Sequence, residues 1–408
     1  MSNHSTTKSI LKKALLRKKK KSESTFKYIL FLLHLWLGLI VGGVICFIAI
    51  TGSLYVFKHE VEDLSVYSSI HREAPAESIV SIDVVQANFE ASYDKTPHKI
   101  TIPEKTNHNI RVQFTERGKA GITAFADRET GEIIGELSPS VPKFFNTIMF
   151  LHRWFNMENF KLGRQITAAC TLVFMVLLIS GLILWFPKTG KKNAWRNKFS
   201  FGFRYKFSVW NRDLHINMGM YTFIFLIVVA WTGIFFTYGW VKDITVNSLK
   251  PAELRQEASH SHNQKSQRKP SGGNQQKKKA LEVNLDVLLA EANQHLNYTG
   301  DLSVMLSGKG ISSPTIRKKN THNLLGAQLY DDVKFSDKGK LMKVDLFKDR
   351  PLYQKVGSMI KPIHTGEILG LKSKIFAFIL SLFAAYLPIS GYIMWFKKLK
   401  GRSEKQSA

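Results

Sequence analysis

Leu33-His34-Leu35-Trp36-Leu37-Gly38 lies near the start of an apolar run that ends near Phe57. Its pattern, Leu-His-x-x-x-Gly, returns far downstream as Leu214-His215-Ile216-Asn217-Met218-Gly219. Each copy is followed by a Thr-Gly pair, Thr51-Gly52 and Thr232-Gly233, 18 residues from His to Gly in both. At 1.5 Å per residue that offset is roughly 27 Å, close to the thickness of a bilayer core. The spacing predicts two spanning helices, each with its histidine near one end and its Thr-Gly near the other.

Working outward, the apolar residues collect in four runs, near 28–57, 166–186, 218–238 and 375–396. Each is at least about 20 residues long and nearly free of charge, the mark of a transmembrane helix. The first is too long for a signal peptide and lacks a small-residue cleavage site, so it reads as a retained anchor. Lys and Arg crowd the N-terminal tail (Lys18 to Lys21), the segment from Lys188 to Arg212 and the tail after Phe396. The positive-inside rule places all three in the cytoplasm, with both termini inside. The expected order is a basic tail (1–27), a first span (28–57), a first outer module (58–147), and a surface segment with the second span (148–187). A basic cytoplasmic segment (188–212), a third span (213–240), a second outer module (241–358), a surface segment with the fourth span (359–397) and a short tail (398–408) follow.

The formal net charge of +27 invites a nucleic-acid reading. Much of it sits at helix ends, where topology and contact with anionic membrane lipid account for it, so no nucleic-acid partner is expected. Cys46 and Cys170 both fall inside apolar runs, and the chain has no Cys-x-x-Cys. A c-type haem attachment, a zinc site and an iron–sulfur cluster therefore lack ligands.

Both outer segments read as a helix followed by strands. In the first, 82–93 has helical spacing, and 99–102, 110–114, 122–126 and 132–135 read as strands. The second suggests a helix over 285–296 and strands near 302–306, 324–330 and 340–346. Within it, 251–279 is a polar insert expected to be a disordered loop. The even spans share their ends, Ser180-Gly181-x-x-x-Trp185-Phe186 and Ser390-Gly391-x-x-x-Trp395-Phe396. The expected fold is an α-helical membrane protein: four transmembrane helices in two parallel helix–module–helix repeats, with two small α+β outer modules.

His152 and His364 precede the second and fourth spans. Depth pairs His34 with His215 near the cytoplasmic face and His152 with His364 near the outer face. A neutral imidazole is a good axial ligand for haem iron, and two of them favour electron transfer because no coordination position stays open. Gly38 and Gly219, one turn after His34 and His215, would let a flat ring approach the backbone. Arg153, Arg164 and Arg212 lie near these histidines in sequence and suit propionates. A lone histidine near a membrane interface is most often a polar end group, and Gly52 and Gly233 would serve helix packing equally well. The haem reading rests on the conjunction of four histidines at matched depths.

Leu33-His34-x-Trp36-x-Gly38 with Thr51-Gly52-Ser53, and Leu151-His152-Arg153-Trp154 with Gly163-Arg164, resemble the PepSY-associated transmembrane helix family. So do Asp213-Leu214-His215 with Gly219, and Ile363-His364-Thr365-Gly366 with Gly391-Tyr392-Ile393-Met394-Trp395. The outer segments resemble its PepSY domains. The resemblance implies a bacterial inner-membrane protein and two haem b groups whose iron is held by His34, His152, His215 and His364. Gly38, Gly52, Gly219, Gly233, Arg153, Arg164 and Arg212 would line them. It also implies reduction of ferric iron in a siderophore on the periplasmic side, for iron acquisition. No residue stands out as catalytic in its own right. Some relatives carry a fused flavin and nicotinamide reductase domain; this chain shows no such domain and no G-x-G-x-x-G after a strand. The donor would then be a separate flavin or nicotinamide reductase, or a quinol. Two rivals compete: a non-enzymatic anchor whose modules bind peptides or regulate a protease, and a transporter. An anchor has no need of paired histidines, and a transporter lacks mid-span Asp, Glu or Lys here.

Overall fold

The computed structural model describes residues 19, 21, 23–115, 121–155, 157–187, 206–254, 284–306, 313–320 and 329–407. In chain order the elements are α1 (Thr25–Val56), α2 (Lys58–Ser65), α3 (Tyr67–Ile70), α4 (Ile82–Tyr93), β1 (Lys99–Ile102), β2 (Ile110–Phe114), β3 (Ile122–Ala126), β4 (Ile133–Glu136), α5 (Ser140–Trp154) and α6 (Phe160–Trp185). They continue with α7 (Phe207–Phe235), α8 (Gly239–Thr245), α9 (Leu285–His295), β5 (Leu302–Met305), β6 (Thr315–Lys319), β7 (Tyr330–Phe335), β8 (Leu341–Asp345), α10 (Leu352–Thr365) and α11 (Leu371–Ser407). The described residues form two compact units. A helix unit draws on Met1–Val56, Thr147–Val241 and Lys374–Ala408; a sheet unit draws on Phe57–Asn146 and Lys242–Ser373.

Among the described residues, α1, α6, α7 and α11 are long and apolar enough to cross a membrane. Large apolar side chains lie on their exterior while several polar ones are buried between them. Ile40 and Ile224 are 69% and 67% exposed, whereas Asn211 is 1% and Ser390 0% exposed. Lipid solvates the apolar exterior, and the small and polar residues satisfy one another inside. Asn211 Nδ2 donates to the Ser390 carbonyl (3.1 Å) and its Oδ1 accepts from the Tyr386 hydroxyl (2.9 Å), tying α7 to α11. Tyr392 donates to the Leu39 carbonyl (2.8 Å), tying α11 to α1. A Cβ at Gly42 would lie 3.1 Å from Pro388 Cβ, so glycine is what lets those two helices approach. Val41, Ile45, Phe174, Leu178, Leu226, Leu380 and Leu387 fill the core between the spans.

The spans outrun the apolar runs. α7 starts at Phe207, so 207–212, expected in the basic cytoplasmic segment, is helical. α11 runs on to Ser407 through the expected tail. The hydrogen-bonded ladder does not need apolar side chains once it has left the bilayer, so helices continue through Lys and Arg. The expected tail 1–18, the stretch 188–205 and most of the polar insert (255–279) lie outside the described residues.

α5 ends at a tight corner before α6. Phe155 there has φ +52°, and a Cβ at Gly163 would lie 2.3 Å from the Trp154 carbonyl oxygen, which only glycine avoids. Asn159 caps α6 by accepting from the Leu162 amide (3.1 Å).

The sheet unit departs from the expectation of two small modules. One antiparallel sheet runs β4-β3-β2-β1-β5-β6-β7-β8, and β1 pairs with β5 across the seam (Thr101 opposite Ser303). A four-stranded layer has two open edges, and pairing β1 with β5 removes one from each. Alternation puts Ile100, Val112, Val304, Ile316 and Val333 on one face, fully buried with Val85 and Phe89 of α4 and Leu288 of α9 in a single core. The two helices also cap each other. Asp286 of α9 accepts from the Ile82 amide (3.0 Å), and Asp83 of α4 accepts from the Leu285 amide (3.0 Å). Each carboxylate meets orphan N–H groups and the positive end of the partner's dipole.

The strand expected near 324–330 is a correction. Residues 321–328 lie outside the described residues, and the strand is β7 from Tyr330, with Asp331 and Asp332 buried in it. Both acids are satisfied: Asp331 accepts from the Tyr298 hydroxyl (2.7 Å) and Asp332 takes the fork of Arg317 (2.7 and 3.0 Å). β6 is not among the expected strand ranges, because its Arg317-Lys318-Lys319 hides the alternation.

Candidate functional site

α1 places His34 about 14 Å inside its start, at 1.5 Å per residue from Thr25. α7 places His215 about 12 Å from Phe207 by the same measure. The two imidazoles meet with ring centroids 6.4 Å apart and planes at 86°.

Each ring is oriented by a serine on a neighbouring helix. Ser180 Oγ donates to the Leu177 carbonyl (3.0 Å), so it can only accept from His34 Nδ1 (2.8 Å). Ser390 Oγ donates to the Leu387 carbonyl (2.8 Å) and accepts from His215 Nδ1 (2.6 Å). The hydroxyl proton is spent on the carbonyl, so Nδ1 of each neutral ring must carry its hydrogen. That fixes the tautomer and leaves Nε2 with a lone pair for a metal. Glycine follows each serine: a Cβ at Gly181 would crowd the ring, 3.2 Å from His34 Cε1, whereas one at Gly391 would lie in ordinary contact, 3.9 Å from His215 Cε1.

Both rings line a cavity of about 480 Å³. Gly38 and Gly219 line it too, together with Phe31, Leu177, Leu387 and other apolar side chains. Its charged lining is Arg212 and Lys398. Arg212 forks onto Asp213 through Nε (3.0 Å) and a terminal nitrogen (2.8 Å). Trp395 also lines the cavity, and its indole Nε1 is buried without a hydrogen-bond partner among the described residues.

Residues 31–398 match the PepSY-associated TM region. The chain belongs to that family. No curated protein matches the chain. In this PepSY-associated membrane protein the cavity can be tested against a haem. Two imidazole nitrogens each about 2 Å from one iron, with the ring radii added, put the ring centres about 6 Å apart, as His34 and His215 are. An apolar slot with two cations and an orphan indole donor matches a flat apolar macrocycle bearing two carboxylates. The residues present fit the group.

The remaining expected site residues lie elsewhere. His152 is on α5, in the helix unit, and its Nδ1 donates to the Ile48 carbonyl (3.0 Å) with Thr51 Oγ1 at 3.3 Å. Burial pushes its imidazole below the ordinary range, so it is neutral at pH 7 with Nε2 as the lone-pair nitrogen. A Cβ at Gly52 would lie 3.0 Å from His152 Cε1, which gives that Thr-Gly pair a role: it seats the histidine. Gly233 is on the last turns of α7 and does not line the cavity. Arg153 stacks over Trp154 (4.7 Å); burial, then the charge of Arg164, hold its guanidinium below the usual range. Arg164 Nε is buried without a hydrogen-bond partner among the described residues. His364 lies in the sheet unit, in the last turn of α10, which ends on Gly366 in the left-handed conformation (φ +75°).

Sequence reasoning matched Ser180 with Ser390 only as a sign of repetition. Their offset from the histidines runs across helices, so linear spacing carried no hint of the relay.

Proposed function

We propose that this protein is a haem-containing oxidoreductase of the bacterial inner membrane, which passes electrons to ferric iron held by a siderophore. His34 and His215 would hold the iron of one haem b. The observation that carries this reading is the pair of serine-fixed rings facing one cavity at the separation of two axial bonds. An anchor for peptide-binding modules has no use for two such relays. The matched His–Ser–Gly contacts also support a twofold helix–module–helix repeat, and the Lys/Arg distribution supports cytoplasmic termini.

When bound, haem supplies a one-electron couple, so each ferric ion reduced consumes one electron from the donor. The chain's own residues do the rest. Ser180 and Ser390 hold the ligand tautomers, the apolar slot excludes water, and Arg212, Lys398 and Trp395 offer donors for the propionates. Held by two imidazoles, the group would supply electron transfer rather than oxygen binding. A second haem, expected from the sequence pattern, would let electrons leave on the periplasmic side. The donor is a separate flavin or nicotinamide reductase, or a quinol.

The test is haem content and ferric-chelate reduction in His34→Ala and His215→Ala. Both variants should lose the same haem, because either loss leaves the iron with one axial bond. His295→Ala, on the partly exposed end of α9, should keep full content. Full haem in both cavity variants would make these histidines structural.

A further inference from the structure

The face of the sheet turned away from α4 and α9 carries a polar row across its seam. Cross-strand register places Arg111 (β2), Thr101 (β1), Ser303 (β5) and Arg317 (β6) side by side. Ile100 and Val304, one residue away, face the helices, so this row must face the other way. The seam pair is joined by hydroxyls, Thr101 Oγ1 to Ser303 Oγ at 3.1 Å. The arginines are already partnered, Arg111 with Asp63 and Arg317 with Asp332, and each lies over a ring, Phe125 and Tyr330. Lys99 is different. It shares the face, two residues from Thr101, and its Nζ makes no hydrogen bond or ion pair among the described residues. Burial, then the charges of Arg111 and Arg317, hold its ammonium below the ordinary lysine range, with Asp301 opposing. Lys99 is thus a half-buried cation with Asp301 nearby but no ion pair of its own, beside two arginines already paired, and an anion would offset part of its desolvation.

Four neighbouring strands separate the arginines by three spacings, about 14 Å. A single inorganic anion cannot reach both, whereas a ligand with several acidic arms can. We propose that Lys99, with the Thr101–Ser303 hydroxyls and flanked by Arg111 and Arg317, binds an anionic polycarboxylate chelate of a trivalent metal. This deepens the reading of a ferric-chelate reductase by naming the charge class of its substrate.

Gallium(III) citrate tests the site without electrons, since gallium is not reduced. The full-length protein in detergent is dialysed to equilibrium against it and bound gallium is measured. Lys99→Gln should weaken binding at least tenfold, and Lys99→Arg should restore most of it. The unaltered protein gives a reading free of mutation. Its affinity should fall at least about tenfold as ionic strength rises from about 0.01 M to 1 M, where the screening length shrinks from about 30 to 3 Å. The cationic gallium complex of an amine-bearing trihydroxamate should bind without regard to Lys99. Undiminished gallium citrate binding by Lys99→Gln, salt-independent binding, or equal dependence of the cationic complex on Lys99 overturns the site. Because haem is measured separately by its spectrum, such a result leaves the His34–His215 assignment standing.

Discussion

At the scale of single residues, the proposed chemistry turns on the two serine–histidine hydrogen bonds. A hydrogen-bond acceptor on Nδ1 makes the imidazole more basic and favours Fe(III) over Fe(II). Ser180→Ala and Ser390→Ala should therefore keep haem but raise its midpoint potential by tens of millivolts, where about 59 mV corresponds to each tenfold change in relative affinity for the two iron states. Redox titration followed optically reads this, and threonine at either position should restore the potential. An unchanged potential in both alanine variants removes the relay from the electronic argument. The two glycines give an asymmetric expectation. Gly181→Ala sets a methyl 3.2 Å from the His34 ring and should lower haem occupancy, while Gly391→Ala, at 3.9 Å, should not. Haem-to-protein ratios decide between them. The histidines themselves were legible from Leu-His-x-x-x-Gly, and so was the place of Gly38 and Gly219 on the same cavity wall, because residues one turn along a helix share a face. Ser180 and Ser390 were visible as a repeated Ser-Gly but not as partners, since a contact between helices leaves no fixed offset along the chain.

At the scale of elements, the sheet unit is held at its seam. Asp83 and Asp286 each satisfy the opposite helix start, so losing one exposes buried amides on the other. Asp286→Ala should destabilise by about 1–2 kcal/mol, the usual cost of a lost N-terminal cap. Chemical denaturation followed by far-ultraviolet circular dichroism measures it; a change within about 0.5 kcal/mol, as for an ordinary surface substitution, would mean the reciprocal cap carries little. Helix α4 and strands β1 to β3 were read to the residue, because helical spacing marks the first and short apolar-rich runs bounded by turn residues mark the others. β6 and β7 were not. Their charged residues, Arg317 with Asp332 and Asp331 with Tyr298, are paired inside the layer, and pairing across strands is invisible to a pattern that scores each residue alone. Nor does any local signal announce that β1 will pair with β5.

At the scale of the molecule, the four long apolar helices among the described residues make a membrane protein, and belonging to the PepSY-associated family agrees with that. The proposed orientation rests on Lys and Arg. An export-dependent reporter fused after Lys198 should be silent and one fused after Gly131 active. The reverse pattern would place His34 and His215 toward the other face. Span number was legible because the bilayer imposes a length; span ends were not, since α7 and α11 continue into basic sequence. Everything proposed for function depends on whether the cavity between His34 and His215 holds haem. The most direct measurement is the visible absorption spectrum of the purified protein in detergent, before and after dithionite. Two axial imidazoles should give a Soret band that shifts on reduction and a sharp α band, neither altered by carbon monoxide. A colourless protein, purified folded from the membrane of cells supplied with haem, contradicts the assignment.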